Sequence, residues 1–133
     1  MSNYDTIKAA IEDVTAGQPS RAVQGKYAGD KPTDPARTFL AYVLGKSHTK
    51  GGGGPHDCVL GYQYIGPNTP ADDSKKWRCF KVDSFPANSL IQVAFVPTAG
   101  LTIPAPLSAD ELKWQNCVDI PGGRIPRTQP YHA

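Results

Sequence analysis

No stretch of this chain approaches about 18 consecutive apolar residues, which excludes a membrane-spanning helix. Residues 1–5, Met-Ser-Asn-Tyr-Asp, carry no basic n-region and no apolar core, so they do not read as a secretory signal. Only three cysteines occur in 133 residues, an odd number without a close pairing pattern. They predict a reduced, cytoplasmic setting. Charge of either sign is nearly balanced, at a net +2, which does not by itself imply a nucleic-acid partner. Hydrophobic residues make up 39%, below the usual share of about 45–50%. No internal repeat is evident.

Motifs of bond-making chemistry are incomplete. Gly45-Lys46-Ser47 looks like the end of a phosphate-binding loop, but the full pattern needs a glycine where Leu40 stands. His56, Cys58 and Cys79 are residue types that zinc prefers, yet no C-x-x-C pair occurs; Cys58 and Cys79 read instead as small core residues. Two of the three histidines, His48 and His56, flank a glycine tract, and His132 lies in the tail. A general base must be held within reach of its proton, and a mobile tip is a poor place for one. The expectation is a protein that is not an enzyme, with no metal and no cofactor.

Glycine and proline are plentiful, thirteen of each, and imply many tight turns between short strands. Tyr4, Ile7, Ala10, Ile11 and Val14 recur at helical spacing, predicting a helix over 4–16 capped by Ser2 or Asn3. Periodicity then switches toward two. Strands are predicted at 22–27, 37–44, 58–65, 77–85 and 90–96, with Phe39, Ala41 and Val43 on one face and Leu40, Tyr42 and Leu44 on the other. Four consecutive glycines at 51–54 predict a mobile hairpin tip. Ser108-Ala-Asp-Glu111 is a capping-box signature that opens a short helix. Residues 121–133 lack apolar periodicity and are expected to be loosely held. The fold class is mainly β with α additions: a twisted sheet or barrel of about five strands, one domain over 1–120 and a tail over 121–133.

The strands carry an unusual set of side chains. Tyr42, Gln63, Trp77, Arg78 and Lys81 are suited to stacking on rings and pairing with anions rather than to bond-making. In a regular strand, Trp77 and Arg78 point to opposite faces, so both line one pocket only at a bulge or a barrel rim. The order Arg37, Tyr42, Leu44, Gly45, then Leu60, Tyr62, Gln63, then Trp77, Arg78, Phe80, Asp83 resembles WYL-type domains over roughly residues 4–96. That resemblance implies an SH3-like β-barrel sensing a negatively charged ligand, a nucleotide or single-stranded nucleic acid, in prokaryotic regulators of phage defence. About 36 residues precede the first strong strand, too few for the DNA-binding domain such regulators commonly carry. Residues 51–54 and the proline-rich tail also lie outside the family pattern. The candidate ligand-binding set is Arg37, Tyr42, Lys46, Ser47, Tyr62, Gln63, Trp77, Arg78 and Lys81. The expected partner is a nucleotide, a cyclic oligonucleotide or single-stranded nucleic acid, with a homo-oligomer or a regulatory protein as further partners and no membrane. Sequestration of a host signalling nucleotide by a phage protein, and a structural or assembly role, are the alternatives.

Overall fold

The fold is described from a computed structural model over residues 1–48 and 54–133. The predicted mobility of the glycine tract falls mostly on residues 49–53, outside the described residues. Helix α1 spans Asn3–Glu12, and the Ser2 side chain accepts the N–H of Asp5 at its start. Five strands follow: β1 Arg21–Gly25, β2 Arg37–His48, β3 Pro55–Ile65, β4 Trp77–Lys81 and β5 Ile91–Ala94. Helix α2 spans Ala109–Lys113 with the complete capping box of Ser108 and Glu111, and the two-residue strand β6 is Ile125–Pro126. All strand pairs are antiparallel. The sheet runs β4-β3-β2-β1-β5, with β6 added on β2. It is therefore an open twisted sheet; the barrel alternative is not what forms.

Both faces of the sheet are covered, which explains why β2 is buried along most of its length. On one face Phe39, Ala41, Leu44, Val59 and Phe80 pack with Ile7, Ala10 and Ile11 of α1. On the other, Leu40, Tyr42, Val43, Leu60 and Tyr62 pack with Phe95 and under residues from the 97–131 segment, among them Val118 and Tyr131. The predicted alternation along β2 breaks at one place. Ala41 pairs with Gly61 and Val43 with Leu60, so Tyr42 is an extra residue and the strand carries a β-bulge. Val43 thereby joins the Leu40 and Tyr42 face, and Leu44 crosses to the helix face. Gly61 is a close-approach position: a Cβ there would stand 2.7 Å from the Phe39 ring.

The tail is not loosely held. Arg127 is only 2% exposed and Tyr131 only 4%. Nη1 of Arg127 donates to the carbonyls of Ala10 (3.3 Å), Ile11 (3.2 Å) and Asp13 (2.6 Å) at the end of α1. Its Nε and Nη2 donate to Gln129 and Pro130, and its guanidinium lies 4.1 Å from the Tyr131 ring centroid. The last carbonyls of a helix have no partner within it and carry partial negative charge, so a cation there is favourable. Helix α1 has no basic residue in its own last turn, and the tail supplies one. At its other end, Asn3 ties the helix to Pro86 and Leu90 through side-chain hydrogen bonds.

Replacing Arg127 with Met is expected to destabilise the fold by about 3–5 kcal/mol, because several buried carbonyls lose their donor at once. Lys should recover only part of this, since one ammonium cannot span the same carbonyls. Urea unfolding of the two variants checks the order; a Met variant as stable as the parent would refute it.

Candidate binding groove

The nine nominated residues do not converge. Contacts place Arg37 and Gln63 toward the helix face, with Lys46 and Arg78 at register positions on that side; Tyr42, Ser47, Tyr62, Trp77 and Lys81 belong to the other. Trp77 and Arg78 do lie on opposite faces, and the bulge at Tyr42 sits in β2 rather than in β4, whose register is unbroken.

Most of the nominated cations are already engaged. Arg37 forms a two-point ion pair with Asp30, Nε to Oδ2 at 3.0 Å and Nη2 to Oδ1 at 2.8 Å, and donates through Nη1 to Gln63 (3.1 Å). Gln63 in turn donates to Pro67 and Thr69, which fixes the loop after β3. Arg78 donates to the carbonyls of Lys75 (2.9 Å), Trp77 (3.0 Å) and Asn68 (2.7 Å), clasping the same loop. Lys46 pairs with Asp57 at 3.0 Å. Ser47 is buried and contacts the His48 carbonyl. Tyr42 and Tyr62 are core residues whose hydroxyls donate to Pro104 and Thr102. Burial pushes the Tyr42 hydroxyl above its ordinary range and that of Tyr62 to about 12, so both stay neutral donors. Lys81 is the exception: its ammonium enters no ion pair among the described residues.

Trp77 retains a partly open face. Its ring packs edge-on against Tyr42 (4.8 Å between centroids) and Tyr62 (5.3 Å), which fixes the indole from below. Leu60 and Trp77 form the floor of a groove of about 360 Å³ whose wall is Leu107, Glu111 and Gln115. Three devices set that wall. The capping box fixes Glu111, whose Oε1 accepts the Ser108 N–H at 2.9 Å and whose carboxyl is held below the usual range by that bond. Arg124 donates to Leu112 and Val118. A disulfide joins Cys79, on β4, to Cys117.

That bridge corrects the sequence reading in which no pairing was seen and Cys79 was a core residue. Cys79 is exposed, and only Cys58 is a buried free thiol. A separation of 38 residues gives no spacing signal, because the two cysteines meet only after α2 folds back over β4. The groove wall was half legible: the capping box announced α2, but nothing in the sequence placed it over Trp77.

The structure also brings His132 to Ser20. His132 Nδ1 lies 3.2 Å from Ser20 Oγ, while Nε2 lies 2.8 Å from the Gln18 carbonyl and must be the protonated nitrogen. Ser20 is 3% exposed and its Oγ also accepts the His132 backbone N–H, so the pair staples the tail to β1. Among the described residues, no group of three or more His, Cys, Asp or Glu side chains is placed to hold a metal ion. No helix of the described residues is long and apolar enough to cross a membrane.

Compared with family models, with curated proteins and with solved structures, the chain matches none. The likeness to WYL-type domains therefore rests on the strand motifs alone.

The Arg37 and Asp30 pair makes an acid-side prediction. Its hydrogen bond from Arg37 holds the Asp30 carboxyl below its ordinary value of 3.8. A lowered folded-state pKa means the stabilisation is complete above the unfolded value and is lost as pH falls through the folded one. Asp30→Asn should therefore be less stable than the parent at neutral pH, with the difference closing below 3.8. Chemical denaturation across that range measures it; a difference that persists undiminished in acid would refute it. Arg78→Ala, by the same accounting of its three carbonyl contacts, should cost about 1–3 kcal/mol of stability.

Proposed function

We propose that the protein is a non-catalytic binding module that takes a nucleotide, a cyclic oligonucleotide or an end of single-stranded nucleic acid, with a base seated in the Trp77 groove. The observation that carries this reading is an indole floor, partly open and braced from beneath, opposite a polar wall of Glu111 and Gln115. Stacking of a base on an aromatic ring is worth about 1–3 kcal/mol and tolerates any base. The wall adds selectivity. Gln115 gives one amide N–H to the Glu111 carbonyl at 3.0 Å and keeps its side-chain oxygen and its second N–H for a ligand. Glu111 offers carboxylate oxygen. The Glu111 carboxylate only accepts, so a fitting ligand brings a donor to it, such as the exocyclic amine of guanine, adenine or cytosine. Lys75 and Lys81 flank Trp77 in the chain and neither enters an ion pair among the described residues, so both are available to phosphate.

The phosphate contacts first nominated, Arg37, Arg78 and Lys46, have internal partners and are assigned to the fold in this reading. A regulatory or sensing role in phage defence, or sequestration of a host signalling nucleotide, rests on the strand-motif resemblance. A structural or assembly role is the second reading. It is favoured by Trp114, 81% exposed, and Val96, 70% exposed, on a chain of modest size.

Melting shifts with a panel of nucleotides and short oligonucleotides separate the two. Saturation at about 100 times Kd should add roughly 2.7 kcal/mol. Ligands with an exocyclic amine should shift the transition more than uracil or thymine analogues. Glu111→Gln keeps the capping geometry and should weaken the favoured ligand about tenfold, as loss of one charge-assisted bond requires. No shift with any ligand, alongside a large stable oligomer, would overturn the nucleotide reading in favour of assembly.

A further inference from the structure

We infer that the Cys79–Cys117 disulfide is a redox latch on the groove, set by the thiol–disulfide balance around the protein. The inference rests on the groove being the binding seat. Three observations lead to it. First, the bridge ties β4, which carries the floor residue Trp77, to the segment that carries the wall. Second, apart from the bridge the wall is held by the partial packing of Leu107 and Leu112 on the core and by one bond from Arg124. Helix α2 is five residues long and none of its side chains is fully buried. A helix that short does not persist on its own propensity. Third, the bridge is reachable, because Cys79 is exposed on the edge strand β4.

What lies beyond the bridge is anchored separately. Val118 is fully buried, Ile120 donates to the Lys46 carbonyl, and Arg124 grips the Val118 carbonyl through Nε and Nη2. Opening the bridge therefore loosens residues 107–115 while 118–127 stay on the sheet. Arg124 Nη1 on the Leu112 carbonyl and the half-buried contacts of Leu107 and Leu112 are then the remaining tethers of α2. The result is a local opening rather than unfolding.

The chemistry is a two-electron exchange with a dithiol reductant. One thiolate of the dithiol attacks Cys79 Sγ, the Cys79–Cys117 bond breaks, and Cys117 leaves as a thiolate that takes up a proton. The second thiol of the reductant then displaces Cys79, closing a disulfide in the reductant and leaving two protein thiols. Cys58 stays outside this cycle, since its thiol is buried and burial pushes its pKa up.

The latch has a built-in reporter. Lys113, the last residue of α2, has an exposed side chain and is a trypsin site within the wall. The experiment compares oxidised protein, dithiothreitol-reduced protein and the double variant Cys79→Ser, Cys117→Ser. Cleavage after Lys113 is followed by mass spectrometry, with near-ultraviolet circular dichroism as the measure of the rest of the fold. The expected result is cleavage at least tenfold faster in the reduced and double-variant proteins, with the dichroism of the aromatic core kept. Alkylation of folded reduced protein with iodoacetamide should add two groups, leaving Cys58 unmodified. Equal cleavage rates in all three forms would overturn the latch, and so would collapse of the aromatic signal on reduction. Nucleotide melting shifts on the oxidised and reduced forms complete the test. Binding that is equal in both forms also refutes the latch. If the oxidised form binds no nucleotide, the groove reading fails, while the cleavage rates still decide whether the bridge controls the wall.

Discussion

Arg127 is the residue on which the rest of this structure depends. A guanidinium buried against a helix end, an aromatic ring and backbone carbonyls is stable only if most of its donors are satisfied. Here Ala10, Ile11, Asp13, Gln129 and Pro130 satisfy them. The cost of burying the charge is offset by the electrostatics of the helix terminus, which attracts a cation with its unpaired carbonyls. The same residue accounts for the order of the tail. Its backbone N–H bonds the Tyr42 carbonyl, and Tyr131 reaches the Ala41 carbonyl, both at the β-bulge. A bulge leaves ladder groups without strand partners. The tail takes them up, so bulge and tail complete one another.

The same logic explains the fate of the nominated anion-binding residues. A small sheet with long polar loops needs its loops tied down, and Arg37 and Arg78 are the side chains that reach them. Guanidinium groups are good at this because their fork bonds two or three carbonyl or carboxylate oxygens at once. A residue type that recognises phosphate is thus equally a residue type that organises loops. Which role it takes depends on whether a loop such as 66–75 folds back over it.

The sequence was readable where local rules act alone. The helical spacing of Ile7, Ala10 and Ile11, the Ser2 cap and the capping box at Ser108 all appear as the periodicity and cap chemistry require. The order of the five main strands was legible for the same reason. What was hidden depends on distant pairings. The bulge at Tyr42 reverses the facing of Val43 and Leu44, and no local pattern encodes a single extra residue. Arg127 lies in a stretch without apolar periodicity, and the helix-end carbonyls it bonds are more than a hundred residues away. The bridge between Cys79 and Cys117 and the groove it braces depend on the same kind of long-range closure. Trp77 was the one nominated aromatic that keeps a usable face, because its edge contacts with Tyr42 and Tyr62 leave the rest of the indole outside the core.

The staple of Ser20 to His132, together with Arg127 on the end of α1, also sets an order in folding. The groups that close the last turn of α1 and pin the start of β1 stand more than a hundred residues away in sequence. Contacts of such long range form only after the chain between them has collapsed, because the closure entropy of the loop comes before the contact rewards it. The sealing of the helix end is therefore a late event, and the sheet must first form against a helix whose terminal carbonyls are still open to water.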